Sequence, residues 1–151
     1  MAEAIKVRTT EEVVQAVFKN VKMAEDSILN IMPKVKDEAF KSDLTVTLSA
    51  FEAFSSRATK LLADNGVKPK EEGTVTKLSA KWGTMMNTMR DSTTSHLAQM
   101  MVEGATMGVT EMMRLLRESE NSGVSESALR LLRDVCAFEE KVAEDMKAYL
   151  R

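Results

Sequence analysis

An all-α fold is predicted by three features of the sequence. Apolar residues recur at three- and four-residue spacing through most of its length, Gly and Pro number only 6 and 2, and aromatic residues make up 5%. Few turn formers and few aromatics argue against a turn-rich sandwich or barrel. At 151 residues, 44% hydrophobic and 29% charged, the chain is long enough for one domain with a full core and too short for two ordinary ones. Residues 1–151 are therefore read as a single helical-bundle domain.

The first helix is expected over residues 10–32. Thr9 and Thr10 offer a cap, Glu11 and Glu12 sit at the positive end of the helix dipole, and Val14, Val17, Phe18, Val21, Ala24, Ile28 and Ile31 form one stripe. Pro33 ends it. A second helix, residues 37–64, carries Phe40, Leu44, Leu48, Phe51, Phe54, Ala58 and Leu62, with Thr47 and Ser55 as small polar members of the stripe. It stops at Asn65-Gly66, a C-terminal signal. The short connector between the two predicts an antiparallel hairpin.

A third helix is expected over residues 74–90, from Val75, Leu78, Trp82, Met85, Met86 and Met89, and it ends at the capping run Asp91-Ser92-Thr93-Thr94. The fourth, residues 93–118, has no cleanly polar side: Leu97, Met100, Met101, Gly104, Met107, Gly108, Met112 and Leu115 spread around it, so it must be covered from more than one direction. The turn Asn121-Ser122-Gly123 and the cap Ser125 introduce a fifth, residues 125–150, with Ala128, Leu131, Leu132, Val135, Phe138, Val142 and Met146 inward. Two hairpins joined by a crossover satisfy these patterns economically. The third helix is then the crossover, with Trp82 and Met86 lying over the outward side of the fourth near Gly104, Gly108 or Met112. A simple up-and-down array is the competing layout.

Net charge is −2 and no block of like charges occurs, which argues against nucleic acid as a principal partner. The opening residues MAEAIKVRTTEE lack the features of a secretory signal, and no apolar run approaches the length of a membrane span. With one cysteine, Cys136, no internal disulfide can form, and a cytoplasmic setting is expected. Cys136 follows Val135 and reads as a small buried hydrophobe, and the lone His96 as a polar residue in a first helical turn. Neither a catalytic triad nor a phosphate or dinucleotide loop is present, so no catalytic and no cofactor-binding residue is predicted.

The stretch Leu62-Ala63-Asp64-Asn65-Gly66-Val67-Lys68-Pro69, then Gly73-Thr74, Trp82, and Leu97 through Gly104 and Met107 to Leu116, resembles a bacterial group of ferritin-like bundles with an extended crossover. The likeness covers about two-thirds of the chain and implies a fold more strongly than an activity. Well-known members of the superfamily hold two iron or manganese ions with a Glu from each of two helices and a Glu-x-x-His unit from each of the others. Here that set is incomplete, because the only histidine is His96 and Thr93 precedes it by three.

An all-carboxylate site remains open: in the ferritin-like order Glu25, Glu103 and Glu139 fall at similar heights, with Glu52 about a turn lower. Such a set would suit a hard cation, and manganese or iron is the cofactor it would imply. The ordinary alternative is that these glutamates flank the apolar stripes and reach solvent or a lysine. The 12 methionines, concentrated in the third and fourth helices, are soft donors for copper(I) or else fill irregular core gaps; core filling is the expectation. Gly104 and Gly108 share a helix face and are expected to let another helix approach closely. The leading functional reading is a non-catalytic structural or interaction module without a cofactor, with self-association open. The alternative is a metal-binding protein using Glu25, Glu52, Glu103 and Glu139.

Overall fold

The computed structural model describes residues 8–70, 83–85 and 90–150, and among them every regular element is helical. Four long helices are present: α1 (Thr10–Ile31), α2 (Glu38–Ala63), α3 (Thr94–Ser119) and α4 (Glu126–Met146). Each begins where a side chain satisfies an orphan amide of the first turn. Thr9 Oγ1 accepts from the Glu12 amide at 3.1 Å while Glu12 Oε1 accepts from the Thr9 amide at 3.2 Å, a reciprocal capping box. Asp37 accepts from the Phe40 amide at 2.8 Å, and Thr93 and Ser125 cap α3 and α4 in the same way at 3.2 Å. Replacing Thr9 by Ala removes the side-chain half of the box, leaves the backbone amide of residue 9 to Glu12, and is expected to cost about 1 kcal/mol. Equilibrium urea unfolding should show a lower midpoint with an unchanged slope.

The ends are as local. Pro33 cannot donate an amide, and the chain tightens into a 3-10 turn over Met32–Lys34 after α1. After α2, Gly66 takes a positive φ of 71° and its amide bonds back to the Ala63 carbonyl at 2.9 Å, while the Val67 amide reaches Leu62. At its own end α4 departs from the expected run to residue 150: the last turn, Lys147–Tyr149, is 3-10.

Pairs of residues fix the directions of the helices. Gln15, near the start of α1, donates to the Lys68 carbonyl at 3.0 Å and accepts from the Lys70 amide at 3.0 Å, just beyond the end of α2, so the first two helices form an antiparallel hairpin, across which Glu25 meets Ser55. Arg8, just before α1, pairs at 2.7 Å with Glu118 at the end of α3, so these two also run antiparallel. The Ser125 amide donates to Thr10 Oγ1 at 3.0 Å, which places the starts of α1 and α4 together. On the other side Arg57 meets Asp134 at 3.0 Å and the Phe40 and Tyr149 rings lie 4.9 Å apart, so α2 and α4 are antiparallel. It follows that α2 and α3 point the same way. In the bundle α1 touches α2, α3 and α4, and α2 also touches α4.

The core between them is continuous. Val13, Val17, Val21, Ile28, Phe40, Leu44, Ala58, Ala98, Met112, Leu131, Leu132 and Val135 are fully excluded from solvent. Phe51 stacks edge-on with Phe138 at 5.1 Å across α2 and α4. No helix among the described residues is long and apolar enough to cross a membrane. Of the expected third helix, Gly83–Met85 are helical and Met85 packs against the core; Trp82, Met86 and their packing lie outside the described residues.

Candidate functional site

Where the four helices converge, a cavity of about 30 Å³ remains, lined by all of them. It is large enough for a water molecule or a single ion. From α1 come Asn20, Met23 and Ser27, which recur at three- and four-residue spacing and so share a face. From α3 come Met101, Gly104, Met107 and Gly108; Phe51 of α2 and Glu139 and Val142 of α4 complete the wall. The lining is mostly apolar, and among its described residues Glu139 is the only ionisable group.

Glu139 is 3% exposed. Its hydrogen-bond partners orient the Asn20 amide with the nitrogen toward it, 3.0 Å from each carboxyl oxygen. Among the described residues no lysine or arginine pairs with it. Burial, followed by the negative charge of Glu111, pushes its pKa up to about 8, so at neutral pH the folded chain holds this group largely as the neutral acid. Burial, with Glu140 and Glu139 nearby, likewise raises the Cys136 thiol, which is the opposite of an activated nucleophile.

Gly108 explains how the carboxyl fits. A Cβ at that position would lie 2.8 Å from Glu139 Cδ, closer than real Cβ atoms pack, and 3.1 Å from Oε1, tighter than most such contacts. The small residue thus admits a side chain from α4 on the face where α3 and α4 pack together, the inward side of α3, and not on the outward side expected to lie under the third helix. Met112 is also fully buried.

The four glutamates singled out in the sequence have separate surroundings. Glu139 faces the cavity. Glu25 is buried and accepts from the Ser55 hydroxyl, with Lys22 Nζ 3.9 Å away. Glu103 is half-buried and accepts from Gln99 at 3.1 Å, and Glu52 is exposed. Among the described residues no three His, Cys, Asp or Glu side chains gather closely enough to share a metal ion. His96 is half-buried in the first turn of α3.

Asn20 is the residue that pattern reading missed. It stands three positions after Val17 and four before Ala24, inside the apolar stripe, and a polar residue at a core position is the informative exception. Ser27 has the same signature one position before Ile28, and its hydroxyl returns to the Met23 carbonyl at 2.7 Å.

No protein-family model and no curated protein matches this sequence. Among solved structures the chain is similar to YcfI from Rhodopseudomonas palustris, described as "a putative structural protein", with a TM-score of 0.70 and 12% sequence identity over 97% of this chain and 98% of that one. At that identity the likeness shows a shared fold.

Proposed function

We propose that this chain is a non-catalytic helical-bundle module that acts through its shape and its contacts, and that its helix order is the ferritin-like one. The observation that carries the first part is the fate of the acids. Three of the four glutamates that could have built a hard-metal centre are each matched to side-chain donors of their own, Ser55 and Lys22 for Glu25, Gln99 for Glu103 and Asn20 for Glu139, and the fourth is exposed. A di-metal centre needs several carboxylates turned to one point, and burial of a carboxyl without a cation beside it favours its protonated form. The structural description attached to YcfI accords with this reading.

Support for the ferritin-like order comes from the directions of the helices. Two antiparallel hairpins whose middle members, α2 and α3, run the same way need a connection that returns along the bundle, and the 30 residues 64–93 between them are enough chain for one. We place the module in the cytoplasm, with self-association as the contact it most simply offers. Protein purified without chelator is expected to contain manganese and iron far below one ion per chain by elemental analysis. One manganese or iron per chain, lost on combined Glu25→Gln and Glu139→Gln substitution, would overturn the reading in favour of the carboxylate site formed with Glu52 and Glu103.

A further inference from the structure

We infer that the central cavity is a binding site for one soft monovalent metal ion of the copper(I) class, liganded by the thioethers of Met23, Met101 and Met107 and neutralised by Glu139, which gives up its proton to solvent as the ion enters. Methionine ordinarily earns its place in a core by filling gaps, since its three rotatable bonds let it adapt. Here three methionines from α1 and α3 border a gap that they leave open. The opening is of ionic size, about 30 Å³, and so too small for an organic substrate.

The chemistry of the wall selects among ions. A hard divalent cation seeks six or more oxygens, or at least several carboxylates, and among its described residues this wall has one carboxylate. A soft cation prefers sulfur, and thioethers are neutral donors, so they supply bonds without charge. Glu139, protonated in the ion-free chain, exchanges its proton for the metal ion, and the resulting carboxylate balances the single positive charge, which leaves the buried ion pair neutral as a whole. Asn20, with its nitrogen 3.0 Å from both Glu139 oxygens, holds the carboxyl against the cavity, and Gly108 leaves the space for it. Asn20 is in this sense a positioning residue.

The site goes beyond the module reading and does not depend on it, since failure to bind a soft ion leaves a helical module, and manganese or iron in the native protein bears on that reading alone. The test uses silver(I) nitrate, which has copper(I)'s charge and softness but does not change oxidation state in air. Calorimetric titration of the full chain in chloride-free buffer is expected to show one ion per chain, with a higher thermal midpoint in its presence. The double variant Met101→Leu/Met107→Leu conserves core volume and should weaken binding by at least about tenfold. Glu139→Gln should also weaken it, and Cys136→Ala, which removes the competing soft donor nearby, should not. Circular dichroism checks that each variant is folded, and single Met→Leu variants replace the double one if it is not. Absence of stoichiometric binding to the wild-type chain, undiminished binding by the methionine variants, or loss of binding in Cys136→Ala would each overturn the site.

Discussion

Between pH 4.5 and about 8, the stability of the chain should fall by up to about 1.4 kcal/mol per pH unit because of one residue, and Glu139→Gln should abolish that component. The sign follows from where the proton is held. Unfolded, the Glu139 carboxyl titrates near 4.5; folded, burial and Glu111 raise it to about 8. In the interval the folded state binds the proton and the unfolded state has released it, so raising the pH favours unfolding. The contribution is fully present below 4.5, is lost as pH rises through about 8, and is flat above. The two hydrogen bonds from Asn20 favour the charged form and moderate the rise, so Asn20→Ala should extend the sloping interval upward. Stability curves from denaturant unfolding at a series of pH values, taken as the difference between wild type and Glu139→Gln, isolate this group from every other titration. The variant should be the more stable of the two at pH 8 relative to their order at pH 4. Parallel curves would show that Glu139 is solvated.

Much of this fold is written locally. The Thr9 box, the Thr93 and Ser125 caps, Pro33 and Asn65-Gly66 each act within one turn of helix, so their residues announce them without reference to the rest of the chain. The site is different because its parts answer to one another across helices. Glu139 and Glu103 carry similar signatures, an acid beside an apolar stripe, yet one is buried and the other half-exposed. What separates them is the surface opposite. Glu139 meets Gly108, which has no Cβ, and Asn20, which has two amide hydrogens to give, whereas Glu103 finds Gln99 one turn away on its own helix. Spacing along a single helix ranks acids by angle and cannot report a partner on the facing helix. The polar exceptions inside the α1 stripe, Asn20 and Ser27, were the available signal, because burial of a polar side chain demands a partner.

Gly108→Ala should destabilise the protein by about 1–3 kcal/mol, and the same substitution should stabilise it by about 1 kcal/mol when Glu139 is also Ala. Taken alone, Ala is the better helix former, and Gly108 lies in the interior of α3 with no positive φ to protect. Opposing this, the new methyl would press on the Glu139 carboxyl, 2.8 Å from Cδ. That carboxyl is the end of a flexible chain and a cavity lies beside it, so it can retreat, but only by leaving Asn20. A buried amide and a buried carboxyl then lose their mutual bonds, and the cost of stranding such groups exceeds the gain in helix propensity. With Glu139 truncated there is nothing to displace, and propensity alone decides the sign. The two effects combine into a coupling energy of about 2 kcal/mol or more between positions 108 and 139, on different helices, read from a double-mutant cycle of denaturation midpoints. Equal effects of Gly108→Ala in both backgrounds would mean that the carboxyl does not occupy the space the missing side chain leaves.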